Sequence, residues 1–264
     1  MLASFNYKRF GRFYRGEKMK IQFGLVVACV TLILGGCAAS QPKPLYLTEN
    51  AVGPQAGRVG IAIAQLPEAD THVRGATCLL CIAVAAAANS SLTSYAKTLP
   101  QDDLARIKDE LAESLRKKGT EVLVMTEAIN LDDLPDYASQ APNTAKKDFS
   151  RLRQKYNIDR VLVVQIKSLG FLRTYAGYIP TSPPRAMLEG AGYVVNLKNN
   201  AYEWYELVNI IQGTDANWDE PPKFPGLTNA YFQSLELARD RFLQPFKPVP
   251  TEEVRETPQQ DSAK

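Results

Sequence analysis

A short apolar run near the amino terminus sets the first limit on what this chain can fold into. The run extends from Phe23 to Leu34, follows Lys20, and is closed by two glycines and Cys37. A positive residue, an apolar core of about 7 to 15 residues and a cleavage site of small residues together form a secretory signal. Because a membrane-spanning helix needs about 20 apolar residues, we expect this run to be removed on export.

The sequence Leu34-Gly35-Gly36-Cys37 resembles the lipobox of bacterial lipoproteins, which signal peptidase II recognises. The resemblance implies that Cys37 receives a thioether-linked diacylglycerol, becomes the first mature residue and gains a further acyl chain. Two or more chains anchor a protein stably, at about 0.8 kcal/mol per buried methylene. In the family pattern an aspartate after the cysteine retains the protein at the inner membrane. Because Ala38 stands there, we expect anchoring in the outer membrane, facing the periplasm.

The excess of basic residues lies before the predicted cleavage site. Residues 1–36 hold six of the 31 Lys and Arg and one of the 28 Asp and Glu, which leaves 25 basic and 27 acidic side chains and a net charge of about −2. A nucleic-acid partner requires a basic face, so none is expected. The basic and aromatic residues before Met19 could touch RNA or lipid, but we prefer a start at Met19.

Proline and glycine content divides the mature chain into three predicted parts. Residues 37–57 contain three prolines and two glycines and are expected to form a lipidated tether. Residues 58–247 are long enough for a single periplasmic domain with a sizeable core. Residues 248–264 are rich in Pro, Glu, Gln and Thr, a composition typical of a disordered tail.

Hydrophobic periodicity predicts a strand, a helix and a second strand in the first half of the domain. Arg58 to Leu66 alternates larger and smaller apolar residues, which is typical of a strand buried on both faces. Residues 104–115 carry leucine and isoleucine at helical spacing, with acidic residues before them, basic residues after them and Gly119 as the stop. Glu121 to Thr126 predicts the second strand.

The second half of the domain is predicted to contain a helix, three strands and a last helix. Their expected ranges are a helix capped by Asn143 or Thr144 and ending near Asn157, strands at Arg160–Leu169, Ala186–Leu197 and Tyr202–Gln212, and a helix at Leu227–Leu243. The order β-α-β-α-β-β-β-α predicts an α/β or α+β fold, a mixed sheet with helices packed on it. Right-handed crossovers make the helix-linked strands parallel, and a closing hairpin adds an antiparallel edge.

The order of these elements resembles that of a group of bacterial envelope domains. The similarity is carried by Gly60 to Ile63, by the helix over 104–115 with Gly119 to Val122, and by Tyr156 to Leu162. The group contains the amino-terminal domain of TolB, the curli secretion lipoprotein CsgG and the lipoprotein activators of penicillin-binding proteins. The resemblance covers residues 58–212 and transfers no functional residue.

An apolar run that departs from this group lies between the first strand and the first helix. It begins with Cys78-Leu79-Leu80-Cys81 and continues into alanines. Because it is too short to span a bilayer, we expect a helix in the core or over the sheet; the alternative is an oligomer face, since small residues let helices approach closely. In an oxidising periplasm, Cys78 and Cys81 are expected to form a disulfide or to remain as inert buried thiols.

The residue types that catalysis requires are scarce. His72 is the only histidine and is expected in a polar surface loop, although its spacing from Cys78 permits a Cys–His pair. Asp132 and Asp133 are expected to be exposed loop residues rather than glycosidase carboxylates. One histidine and two spare cysteines do not suffice for a structural zinc site. We therefore predict no enzyme, no cofactor and no metal site.

Aromatic residues and prolines accumulate after the strongest strand. Tyr175 and Tyr178 are predicted on a long loop, Trp204 on the hairpin, and Trp218 and Phe224 in a second irregular stretch. Tyr and Trp are frequent anchors of protein interfaces, so these five residues are candidates for binding a partner. The alternative is that most aromatic residues here belong to the core or cover the sheet edge.

Together these features predict a non-enzymatic lipoprotein, anchored in the outer membrane by acyl chains on Cys37. Its expected role is to bind an envelope protein as an assembly or scaffold factor. The alternative is a CsgG-like secretion-pore or ring subunit, a homo-oligomer held together through the alanine-rich run or the loop from Phe171 to Met187.

Overall fold

The described part of the chain forms a mixed seven-stranded sheet with helices on both faces, which confirms the predicted fold class. The computed structural model describes residues 42–139, 141–215 and 217–247. The predicted signal, Cys37 and the predicted tail lie outside these residues.

Five of the strands follow one another across the sheet in the order β3-β1-β4-β6-β7. The strands are β1 Arg58–Ile63, β2 Asp70–Arg74, β3 Glu121–Val124, β4 Arg160–Ala176, β5 Ile179–Pro180, β6 Arg185–Asn196 and β7 Ala201–Gln212. β1 pairs in parallel with β3 and β4, and β6 pairs antiparallel with β4 and β7. The parallel pairing of the helix-linked strands and the closing antiparallel hairpin are therefore as predicted.

β4 is the central strand and is longer than predicted. Its first half pairs with β1, its second half pairs with β2, and β6 follows it along most of its length. The first half is buried because two separate hydrophobic cores cover the two faces of the sheet, with Leu162 in one and Val163 in the other. The strand continues beyond Leu169 because β2 and β6 still pair with it there, and these distant contacts leave no mark in the local sequence.

The helices pack on the sheet in two unequal layers. They are α1 Leu79–Ala88, α2 Ser90–Ala96, α3 Asp102–Lys117, α4 Ser150–Tyr156 and α5 Pro225–Leu243. α2, α3 and α5 contribute to the larger core, whereas α4 contributes to the smaller one on the opposite face. α3 confirms its prediction, with acidic residues in the first turn, basic residues in the last turn and Gly119 at a φ of +81° after its end.

The predicted start of α4 is wrong, although its predicted end is confirmed. Neither Asn143 nor Thr144 caps the helix; the Asp148 carboxylate instead accepts a hydrogen bond from the backbone N–H of Ser150 at 2.9 Å. Asn143 has a positive φ, and its carbonyl accepts a bond from the backbone of β7. The helix ends at Asn157, in the left-handed conformation.

The segment expected to be a free tether is packed against the domain from Leu45 onward. Ala51, Val52 and Ala56 are buried in the larger core. The Arg160 guanidinium, paired with Glu203 and largely buried, also donates a hydrogen bond to the Ala56 carbonyl. Prolines and glycines in this stretch therefore shape short 3-10 turns, Glu49–Ala51 and Pro54–Ala56, rather than a flexible spacer.

β2 corrects the expected surface loop around His72. His72 is half-buried in this strand, and its Nε2 lies 3.3 Å from the carbonyl oxygen of Leu169. β2 approaches β4 closely at Gly170, which has a φ of +124°, and a Cβ built there would lie 2.1 Å from the carbonyl oxygen of Asp70. The strand escaped prediction because it is short and polar and has one apolar residue, Val73.

Replacing Gly170 with alanine is expected to lower the free energy of unfolding by about 1–3 kcal/mol, because the added methyl group forces β2 away from β4 at a strained backbone position. Gly213→Ala is the matched control, since a Cβ at Gly213 meets no atom within 4 Å. Chemical denaturation of the detergent-solubilised protein measures both variants. Equal stabilities would contradict the close contact between the strands.

Candidate functional site

Two of the five predicted binding aromatics are buried, so they are not available to a partner. Tyr175 is 6 % exposed, and its hydroxyl accepts a hydrogen bond from Asn89 Nδ2 at 2.6 Å. Trp204 is 2 % exposed; it lies edge-on to Phe246, and a Cβ on Gly192 would be 2.4 Å from its ring. The prediction that these two residues are exposed is wrong, because both rings pack inside hydrophobic cores of the domain.

Trp218 and Phe224 are partly buried. Their rings stack with centroids 6.2 Å apart and planes 3° from parallel, and both pack partly buried against the larger core. The Arg173 guanidinium lies 4.9 Å from the centre of the Trp218 ring, a cation–π contact. This pair holds the irregular segment before α5 against the sheet, so only part of either ring remains available.

Tyr178 is exposed and belongs to an apolar surface at one end of the sheet. It is 61 % exposed at the turn between β4 and β5, next to exposed Ile179. We call the patch formed by these residues and the outer side of α1 the α1 surface; its members are Leu79, Leu80, Ile82, Val84, Tyr178 and Ile179. The turn and the helix are neighbours, because a Cβ on Gly177 would lie 3.8 Å from Cys81 Sγ.

The expectation that α1 lies in the core or covers the sheet is wrong for most of the helix. Within α1 only Cys81 and Ala85 are buried, in a small core with Ala76 and Tyr175. Leu79 is 89 % exposed and Leu80 is 71 % exposed. The exposed apolar surface of α1 was predictable from the sequence, because a helix that is apolar on every side has no polar face to turn toward water.

Cys78 and Cys81 are joined at the start of α1. Their Cα atoms are 4.9 Å apart with the two sulfurs bonded, and Cys78 Sγ also accepts a hydrogen bond from the backbone N–H of Cys81. Cys78 therefore acts as the cap of the helix, in the place that Ser or Asp usually takes. We propose that the same bridge forms in the cell.

The outer edge of β7 forms a second candidate surface. Leu45 pairs with Tyr205 through two hydrogen bonds, and Thr144 forms a bridge with Ala201. No residue in the described ranges pairs with the outer side of β7 from Leu207 to Gln212. We call this side of Leu207–Gln212 the open edge. Sequence reasoning identified the strand but not that its outer edge is unpaired by the described residues, since edge position depends on the whole topology.

A groove of about 880 Å³ lies beside the open edge. Its lining includes Pro44, Tyr46 and Leu207, with Glu206 and Arg241 among its charged residues. Burial raises the pKa of the Glu206 carboxyl, and the Arg241 guanidinium partly offsets that rise. The groove thus joins apolar walls to a few charged groups, which is typical of a binding surface.

Three tyrosines form a stacked cluster behind this groove. The ring centroids of Tyr193 and Tyr205 are 6.1 Å apart, and Tyr202 contacts both rings. Burial raises the pKa of Tyr202 to about 12 and also raises the pKa of Tyr193. These phenols stay protonated at neutral pH, so their arrangement serves packing rather than proton transfer.

The described residues bring no metal-binding cluster together, since no three His, Cys, Asp or Glu side chains within those ranges are placed to hold an ion. No single helix in the same part of the chain is long and apolar enough to cross a membrane. Taken together, α1 and α2 do have the length and apolar composition of a membrane span, but the chain bends by 69° between them.

Comparison with known proteins found similarity only among solved structures. No family model matches the sequence, and no curated protein matches it. A PelC dodecamer from Paraburkholderia phytofirmans has 10% identity and a TM-score of 0.34, covering 78% of this chain and 96% of that one. A DUF330 protein from Xanthomonas campestris has 10% identity and a TM-score of 0.34, covering 76% and 90%.

A lipoprotein from Neisseria meningitidis is also similar in structure. It has 10% identity and a TM-score of 0.29, and the overlap covers 69% of this chain and 96% of that one. The resemblance to all three proteins is therefore one of partial shape at low sequence identity.

Alkylation of the mature protein under denaturing, non-reducing conditions is expected to leave both Cys78 and Cys81 unlabelled, and prior reduction is expected to add two labels. Mass spectrometry of the peptide that contains both residues measures the count. The double variant Cys78→Ser with Cys81→Ser is the control, because its peptide takes up no label in either condition. Labelling of either cysteine without reduction would show that the bridge does not form in the cell.

Proposed function

We propose that this chain is an outer-membrane lipoprotein facing the periplasm, which works as an assembly or scaffold factor by binding an envelope protein rather than by catalysis. The observation that carries the proposal is the open edge of β7, an apolar strand edge beside a groove. The anchor is supplied by Cys37, through the lipobox that precedes the folded domain.

The open edge has the chemistry needed to add a strand. The backbone N–H of Tyr205 points away from β6 and donates to Leu45. Since successive N–H groups of a strand point to alternate sides, every second N–H after Tyr205 also points outward, namely those of Leu207, Asn209 and Ile211. Leu207 and Ile211 are exposed and apolar. Natural proteins usually block such edges with Pro, Lys or bulges, and β7 has none of these between Leu207 and Gln212. An extended segment of a partner can therefore pair there, as in β-augmentation.

The groove supplies side-chain contacts for such a segment. A strand added at the open edge presents alternate side chains to the groove, where Leu207 and Tyr46 offer apolar contact. Arg241 and Glu206 lie in the same groove and favour a partner segment that carries polar or charged residues at those positions.

The anchor places this surface close to the membrane. Eight peptide units link Cys37 to Leu45, where the chain first pairs with the sheet. Fully extended, they span at most roughly 26–29 Å. A partner at the open edge is therefore an envelope protein within that distance of the bilayer.

A second candidate function is a subunit of a ring or secretion pore. The sheet is open and its two edges, β3 and β7, differ in length and surroundings. Contact between two unlike edges of successive copies is heterologous, and such contacts generate closed rings when the rotation between copies permits.

Asn209→Pro is expected to weaken partner binding by at least about tenfold, because it removes an outward N–H and its bond of about 0.5–1.5 kcal/mol and puts the proline ring in the path of the added strand. Asn209→Ala is the matched control, since it keeps the N–H. Cross-linking in cells and the native mass of the detergent-extracted complex measure the effect.

An unchanged complex in the Asn209→Pro variant would overturn the open edge as the binding surface. A mass of many identical copies in the unaltered protein would favour the ring subunit, and a complex with a different protein would favour the scaffold factor.

Cys37→Ser is expected to abolish incorporation of a palmitate analogue, because the serine cannot form the thioether on which lipidation depends. Cys29→Ser is the matched control, since Cys29 lies within the apolar run and is removed with it. In-gel detection of the labelled lipid measures both variants. Lipid on the Cys37→Ser protein, or its loss from the Cys29→Ser protein, would overturn the assignment of the anchor.

A further inference from the structure

The α1 surface belongs to a part of the chain that has no charge. Gly75 to Ala96 contains no Asp, Glu, Lys or Arg, and the same is true of the segment from Tyr175 to Pro184. α1 turns only Cys81 and Ala85 inward, so its leucines, isoleucine and valine face outward. Water-exposed surfaces of this composition are rare in monomeric proteins and mark a contact with a membrane or another protein.

Strand pairing locates the α1 surface at one end of the sheet. Gln212, the last residue of β7, pairs with Ala186, and Ala186 pairs with Phe171 of β4. From Phe171, β4 continues to the turn that carries Tyr178, while β2 ends beside it and leads into α1 five residues later. The α1 surface therefore lies beyond the end of the sheet at which β7 stops.

The first described residues of the chain run toward the same end. Because Leu45 pairs antiparallel with Tyr205, Pro42 to Pro44 proceed in the direction of Gln212; Pro44 lines the groove with Glu206 and Leu207, but none of the three pairs with β7. The eight peptide units from Cys37 to Leu45 span at most roughly 26–29 Å.

We propose that the α1 surface lies in the headgroup and upper acyl region of the bilayer that holds Cys37, so that the domain contacts lipid at a second point. The inference rests on the anchoring in the proposed function and adds an orientation to it. α1 has ten residues and is about 15 Å long, so it lies on the membrane rather than across it.

Residues around the α1 surface suit an interface with lipid. Arg74 and Lys97 bracket the uncharged stretch, and both side chains are more than half exposed, although each is paired with a carboxylate, Arg74 with Glu189 at 2.8 Å and Lys97 with Glu68 at 3.8 Å. Tyr178 has the amphipathic ring that is enriched at membrane interfaces. A protein interface usually has a polar rim and about one hydrogen bond per 100–200 Å², whereas the side chains of this patch offer only the Tyr178 hydroxyl.

Quenching by brominated lipid tests the contact in the full lipidated protein. The protein is reconstituted into vesicles of phosphatidylethanolamine and phosphatidylglycerol, with or without bromine on the acyl chains. Tyr178→Trp and Leu80→Trp place reporters on the α1 surface. Tyr137→Trp is the matched control, because Tyr137 lies beside Asn199 in the turn between β6 and β7, at the opposite end of the sheet. Trp204 and Trp218 give the same background in every variant.

Brominated vesicles are expected to remove most of the fluorescence added at residues 178 and 80 and little of that added at residue 137. Adding Leu80→Glu to the Tyr178→Trp protein is expected to abolish the quenching, because a carboxylate opposes burial in the acyl region.

Flotation of the same samples distinguishes failure of the membrane contact from failure of the anchor. Protein that floats with the vesicles but shows no extra quenching at residues 178 and 80, or keeps it with Leu80→Glu, overturns the membrane contact and leaves the anchor intact. Protein that does not float overturns the anchor of the proposed function and this inference with it.

Discussion

The fold depends on one strand, β4, that takes different neighbours along its length. Its first half is the middle of a sheet covered on both faces, and its second half carries β2, the β5 turn and the small core under α1. β1 and β2 pair in parallel on the same side of β4, at successive positions. A single 17-residue strand thus joins a buried sheet to a smaller extension beyond it.

A largely buried ion pair holds the start of the domain against this strand. Arg160, the first residue of β4, pairs with Glu203 of β7 through two nitrogens and donates to the Ala56 carbonyl. Glu203 also accepts a hydrogen bond from Asn196 of β6 at 2.7 Å. Removing one partner of such a pair leaves the other buried without compensation, which is strongly destabilising. The stretch before β1 is therefore held by polar contacts as well as by its buried alanines.

Elements with a strong local pattern were predictable from the sequence, whereas those fixed by distant contacts were not. α3 carries its own periodicity, charges and stop at Gly119, and β1 alternates because both faces are covered. β2 can pair with β4 because Gly170 leaves room for Asp70, a residue 100 positions earlier in the chain. Of the candidate site, Tyr178 was foreseen as exposed, but Tyr175 and Trp204 were not foreseen as buried, since aromatic residues suit cores and surfaces equally well.

The pairing of Leu45 with Tyr205 has a mechanical consequence for the domain. When the chain before Leu45 is pulled along the axis of β7, the two hydrogen bonds of the pair stand across that axis. Both bonds then carry the load together in shear, instead of breaking one after the other as they would if the chain were peeled sideways. A pull in this direction is therefore transmitted into the sheet through the geometry that resists it best.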